Sequence, residues 1–294
     1  MYRAAFAVLL IACANHPAPN AAVAGATVAA AAATPARPAP NAALGASPPL
    51  ATPGEHMQYK LSLKGIDLAT YEIAFGELTD VGGKRALVVQ SHAKVTGVAA
   101  FVATIDDRFT SWIDVATGRP LRFQADEFAS GSRTKVEHVV VDLAGRTGNA
   151  VPVAFHVNDE PAAPEPPQQV SAPIAWDYNA FMVALRAWEG PPGTALSAEV
   201  FRSRWIWHVD AKITGKENLV TALGDLPALK LEGRTYKLER NGTRDTGSAE
   251  RTFTIWISDD DGRVPLQITA VTDYGDLEMQ IVDYQPGTGA RLRP

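Results

Sequence analysis

The chain has 294 residues, 46% hydrophobic, 8% aromatic and only 20% charged, so it carries enough apolar side chain for a core and cannot be disordered throughout. Its 27 basic and 32 acidic residues give a formal net charge of -5, which leaves no basic stripe for phosphates and excludes nucleic acid as the expected partner. One cysteine, Cys13, excludes an intrachain disulfide framework and a cysteine-rich zinc site.

Met1, Tyr2 and Arg3 lead into an apolar run that ends at Ala12, too short for a permanent membrane span. Leu10-Ile11-Ala12-Cys13 resembles the lipobox of bacterial lipoproteins, in which a peptidase cuts before a cysteine carrying a diacylglycerol. The resemblance implies a signal peptide over 1–12, a mature chain starting at lipidated Cys13, and the membrane as a partner through it. Two or more acyl chains anchor stably where one binds only reversibly. Ala14 after the cysteine, rather than aspartate, implies passage to the outer membrane, facing the periplasm. A plain secretory signal with an incidental thiol is the alternative.

Residues 13–54 read as a disordered tether rich in alanine and proline. Arg3 and Arg37 are the only charges before Glu55, so the remaining 25 basic and 32 acidic residues give the rest of the chain a net charge of -7. Pro35, Pro38, Pro40, Pro48, Pro49 and Pro53 forbid a long helix and favour extended backbone, which over about 40 residues reaches on the order of 100 Å.

From 55 to 294 the pattern predicts a single β-rich domain. Apolar and polar residues alternate in Tyr59 to Lys64, Tyr71 to Phe75, Phe201 to Ile213 and Leu229 to Glu232, as in strands with one dry face. Gly82-Gly83, Thr117-Gly118, Ala144-Gly145, Asn241-Gly242 and Asp261-Gly262 mark turns, so the sheet is expected to be antiparallel. A proline-rich stretch over 159–173 reads as an exposed loop. Tyr178, Phe181, Met182, Leu185 and Trp188 follow a helical period, with Asp177 as N-cap and Gly190-Pro191-Pro192 as the stop, which predicts one helix packed on the apolar face.

One motif occurs twice. Phe109-Thr110-Ser111-Trp112-Ile113 running to Gly118-Arg119-Pro120-Leu121 is echoed by Phe253-Thr254-Ile255-Trp256-Ile257 running to Gly262-Arg263-Val264-Pro265-Leu266. Each copy predicts a strand, a tight turn with glycine at the positive-φ position and a returning strand opened by proline. Two similar halves would build a curved antiparallel sheet or half-open barrel, mainly β. At these residues the chain resembles the bacterial family catalogued as domain of unknown function 3108. The matching marks are Gly54-Glu55 with Tyr59, the two hairpins, the helix near Asp177 and the turn Val220 to Gly224. The resemblance implies a secreted or lipid-anchored envelope protein and brings no activity and no catalytic residues.

Chemistry leaves few marks. His16, His56, His92, His138, His156 and His208 have no metal-ligand spacing, and Asp259-Asp260-Asp261-Gly262 places Ile257 where a calcium loop needs a carboxylate. Asp106-Asp107 reads as strand-end capping, and no nucleophile elbow, phosphate loop or dinucleotide fingerprint occurs. No catalytic residue, metal ligand or cofactor is therefore assigned. Phe109, Trp205, Trp207 and Phe253, with Phe181 and Leu185 from the helix, are the candidate lining of a concave face that holds an apolar ligand such as a lipid or acyl chain. The alternatives are a structural or protein-interaction component of the envelope without a small-molecule ligand, and a hydrolase whose site sequence does not reveal.

Overall fold

Alternating burial runs through nearly every long strand of the computed structural model, which describes residues 44, 45, 47–101, 103–131, 134–158, 160 and 165–293. The leader over 1–12, Cys13, most of the tether, and residues 159 and 161–164 of the proline-rich segment lie outside the described residues. The first half is a meander of β1 (His56–Leu63), β2 (Ile66–Val81), β3 (Lys84–Val95), β4 (Thr104–Asp114), β5 (Pro120–Ser130) and β6 (Lys135–Asp142). Short strands follow, β7 (Ala150–Val151), β8 (Val153–Val157), β9 (Gln168–Gln169) and β10 (Ala175–Asp177), and then helix α1 (Tyr178–Arg186). A second meander comprises β11 (Ala195–Arg202), β12 (Trp205–Thr221), β13 (Gly224–Leu238), β14 (Arg251–Ser258), β15 (Pro265–Thr272) and β16 (Gly275–Gln285).

Fourteen strands make one sheet, in the order β10-β11-β12-β13-β14-β15-β16-β1-β2-β3-β4-β5-β6-β8, while β7 and β9 pair separately. The last strand thus joins the first at the middle of the sheet. Every pairing is antiparallel except β10 with β11, as the turn-rich sequence predicts. The sheet curves around α1 and does not close into a barrel, since β10 and β8 are edges without a common ladder.

The two halves superpose strand on strand in their pairing. Phe109 faces Ala125 and Ile113 faces Pro120, with a bulge between Trp112 and Ile113. Phe253 faces Ala270 and Ile257 faces Pro265, with a bulge between Trp256 and Ile257. The preceding pairs agree as well: Ser91 with Phe109 corresponds to Gly233 with Phe253. Bulges interrupt the β2–β3 and β12–β13 pairs opposite the equivalent residues Val89 and Leu231. Shared register, rather than shared residue types alone, is what a duplicated half-domain leaves behind.

Two local expectations are corrected. Phe201 to Ile213 is not one strand: the chain turns at Ser203, whose φ is +55°, and Arg202 pairs back with Trp205. Nor is one face wet throughout: near the turn Val200 with Trp207 and Phe201 with Ile206 are buried on opposite sides, whereas from Trp207 to Ile213 the odd positions are buried and His208, Asp210 and Lys212 open to solvent as predicted. In the repeated turns the positive φ falls on Gly118 (+70°) in the first copy but on Arg263 (+49°) in the second. Arg263 pays for that conformation with tertiary bonds, its Nε donating to the Arg186 carbonyl at 3.1 Å and its Nη2 to the Trp188 carbonyl at 2.8 Å.

Gly233 shows how tightly the second half is packed. A Cβ there would lie 2.3 Å from the Phe253 ring and 2.5 Å from the Asp210 carbonyl oxygen, and backbone cannot yield as a flexible side chain does. Gly233→Ala is expected to destabilise the fold by about 1–3 kcal/mol through overpacking, read as a lower urea midpoint with unchanged slope.

Candidate functional site

The concave face is built by inward residues of β1–β6 and β11–β16 and is occupied by α1. All nine helix residues are buried, so the predicted apolar stripe is only part of what the sheet encloses. Asp177 caps the helix as expected: its Oδ1 accepts from the Ala180 amide at 2.9 Å and from the Ser111 hydroxyl at 2.6 Å. Burial pushes the Asp177 carboxyl up to about 6, against the lowering effect of those bonds. Alongside it the Tyr71 hydroxyl donates to that of Tyr178 at 2.9 Å, Ser91 donates to Asn179 Oδ1 at 2.9 Å, and the Ser91 and Tyr178 hydroxyls are in contact. This wholly buried network holds the helix start on the first half of the sheet.

The helix end is held by ions. Arg186 reaches Glu55 in a two-pronged pair, Nη2 to Oε1 at 2.6 Å and Nη1 to Oε2 at 3.1 Å. Both side chains are under 5% exposed. Its remaining donors reach the carbonyls of Gly262 at 2.7 Å and Arg263 at 3.2 Å, and the Tyr284 hydroxyl donates to Glu55 at 3.2 Å. Desolvation and the adjacent Glu55 push the Tyr284 hydroxyl up to about 12. The acidic turn Asp259-Asp260-Asp261 serves this junction: Asp260 Oδ1 accepts from Ser258, Gly262 and Arg263 at 2.7, 2.9 and 3.0 Å.

A second charged cluster lies at the seam where the β11–β12 hairpin meets the inner side of β4–β6. Arg202 approaches Glu127 at 3.4 Å and Asp107 at 3.7 Å while covering the Phe109 ring. Ser203 donates to Glu127, and Arg204 stacks on Phe155 of β8. Arg204 Nε lies 2.9 Å from Glu137 Oε1 without hydrogen-bond alignment, so this contact is an ion pair only. Asp107 is a component of this seam, not a strand-end cap, and burial pushes its carboxyl up to about 7 despite Arg202. Its neighbour Asp106 faces outward and bonds His92 at 2.9 Å. Nothing in the sequence separates the two aspartates except the alternation that sends one inward.

Of the six residues predicted to line a ligand space, Phe109, Trp207, Phe253, Phe181 and Leu185 join one core cluster and are at most 4% exposed. Phe109 packs edge-on against Tyr178, with 5.2 Å between ring centres. Trp205 stands apart at 39% exposure, covered by Lys237 Nζ 4.0 Å from its ring centre. An open groove of about 440 Å³ lies on the outer face, across β1, β16, β15 and β14, and Phe253 contributes to its lining. Sequence reasoning missed it because outward hydroxyls on strands look like ordinary solvated positions.

The architecture defines the class first: a β protein whose one curved antiparallel sheet wraps a single buried helix. The chain belongs to the family described as Protein of unknown function (DUF3108), whose model matches residues 58–282. No curated protein matches it. Among solved structures it is similar to a β-barrel-like protein of the DUF1849 domain of unknown function from Brucella abortus, with 10% identity, a TM-score of 0.48, and coverage of 82% of this chain and 99% of that one. It is also similar to a chain from Bacteroides fragilis described as a candidate exported protein with a YmcC-like fold, at 5% identity and TM-score 0.36, covering 83% and 100%. A third, described as a candidate lipoprotein from Parabacteroides distasonis, has 8% identity and TM-score 0.35 and covers 81% and 99%.

Removing one partner of a buried ion pair strands the other charge, so Arg186→Ala is expected to cost about 3–5 kcal/mol, measured by chemical denaturation. At the seam the sign follows from linkage. Asp107 keeps its proton up to about 7 when folded but only to its ordinary 3.8 otherwise, so its stabilising effect is complete below the lower value and is lost as pH rises through the upper one. Asp107→Asn keeps the neutral shape at every pH, and its stability relative to the parent is expected to rise between about pH 4 and 8. Denaturation at several pH values checks this, and the Asp177 slope, common to both proteins, cancels in the difference.

Proposed function

We propose that this protein is a lipid-anchored component of the bacterial envelope, exported and held through acylated Cys13 at the outer membrane facing the periplasm, and that it engages another envelope component through its outer surface. The observation that carries this reading is the filled interior. Phe181 and Leu185 are fully buried, Trp188 is 2% exposed, and the concave-face aromatics Phe109 and Phe253 pack in the same core. A carrier of acyl chains needs a continuous apolar cavity of several hundred Å³, and the helix takes that space. The leader ending in Leu10-Ile11-Ala12-Cys13 supports the anchor, and the long proline-rich tether supports a working position well away from it.

Cell fractionation and lipid extraction test the two parts. The wild-type chain is expected in the membrane fraction and Cys13→Ser in the soluble or unprocessed pool, with mass spectrometry of the purified full chain finding no lipid beyond the covalent anchor. A stoichiometric co-purifying lipid that survives Cys13→Ser would restore the carrier reading, and unchanged membrane retention of that variant would overturn the anchor.

A further inference from the structure

Outward positions on β1, β16, β15 and β14 fall into rows across the sheet. Ser62 pairs with Glu278, Glu278 with Thr269 and Thr269 with Thr254, so hydroxyl, carboxylate, hydroxyl and hydroxyl follow one another at a strand spacing of about 4.8 Å. Their chain neighbours Leu61, Leu277, Met279, Ile268, Ala270 and Ile255 are all buried, which places this row on the outer side. Lys64 and Asp276 flank it, and these six residues line the groove of about 440 Å³, within the size range of small-ligand sites.

Two residues further along the strands, the next row is already covered. The arm of the β12–β13 hairpin beyond Gly215 leans over it, with the Trp256 indole donating to Glu217 at 2.6 Å and Gln280 to the Val220 carbonyl at 3.2 Å. The groove begins where that cover ends. In that covered row Lys60 is tied up, pairing with Asp67 at 2.7 Å. Inside the groove, by contrast, Lys64 and Asp276 have no ion-pair or side-chain hydrogen-bond partner among the described residues, and Glu278 has only a long contact of 3.4 Å from Gln267.

We propose that this groove binds a glycan that carries both amino and carboxyl groups, such as a peptide-bearing cell-wall saccharide. Hydroxyl side chains that both donate and accept suit a hydroxyl- and amide-rich ligand. Lys64 meets a carboxylate, and Asp276 with Glu278 meets an ammonium group. Two carboxylates against one ammonium disfavour a phosphate or a purely anionic polymer, and a shallow, half-polar groove does not suit an acyl chain. The inference rests on the reading of the outer surface as the working surface and names the chemistry of its partner.

Calorimetric titration of the detergent-solubilised full chain tests it, with a soluble disaccharide-tetrapeptide bearing free amino and carboxyl groups as the probe and uncharged chitotriose as the control. Saturable binding of the glycopeptide, at least ten-fold weaker binding of chitotriose, and at least ten-fold losses in Lys64→Glu and Thr269→Arg are expected, with thermal unfolding of these surface variants unchanged. No saturable glycopeptide binding, equal binding of chitotriose, or equal affinity in Thr269→Arg would overturn the assignment. If glycopeptide binding fails while the chain stays lipid-free and dependent on Cys13 for membrane retention, the glycan assignment falls alone and the envelope reading stands.

Discussion

The ion pair between Arg186 and Glu55 ties together three stretches of chain that sequence keeps far apart. Glu55 lies just before β1, Arg186 ends the only α-helix among the described residues, and the guanidinium also bonds the carbonyls of Gly262 and Arg263 in the second copy of the repeated turn. Two charges taken so completely out of water are costly unless every donor and acceptor is used. Here nearly all are: Glu55 accepts from Arg186 and Tyr284, and Arg263 returns a bond to the Arg186 carbonyl. Such a pair adds little net stability over an apolar substitute, but it allows one position of the helix, and the strained backbone of Arg263 follows from it.

That fixed helix is also where the two halves part company. Their registers match residue for residue through the hairpins, yet the first half presents Ser91 and Ser111 to the helix start where the second has Gly233 and Ile255. The serines bond Asn179 and Asp177. The glycine instead makes room for the Phe253 ring. One half is a polar cradle for a helix terminus and the other a close-packed apolar wall, so two halves of matching register enclose a single asymmetric filling.

Strands, turns, helix and the likeness of the two halves were legible because each is written locally, in alternation, glycine placement, a capping aspartate and an ordered echo of eight residue types. The misses are tertiary. Alternation runs on through Phe201 to Ile213 although the chain reverses at Ser203, because near that turn the seam buries both sides of the hairpin and nothing in the pattern marks the reversal. Arg263 takes the left-handed conformation that glycine was expected to hold because bonds to the helix end stabilise it there. Of the candidate site, Cys13 lies outside the described residues, five of the six proposed lining residues are core, and the groove emerged only when four outward positions on four strands came into one row.

The same packing decides where recognition can happen. A sheet that curves around a ligand must leave its concave side empty, and this one spends that side on nine buried helix residues and a seam of Arg202, Arg204, Asp107, Glu127 and Glu137. The exposed edges are short, three residues in β10 and five in β8, and Arg204 stacks on Phe155 of the latter, so strand addition at an edge gains few backbone bonds. The outer face remains, and over β14–β16 it is partly covered by the β12–β13 arm. Polar side chains without partners cost nothing where water reaches them, so their row across the groove is no burden on the fold. It leaves the groove free to exchange water for a ligand whose hydroxyl, amino and carboxyl groups make the same bonds.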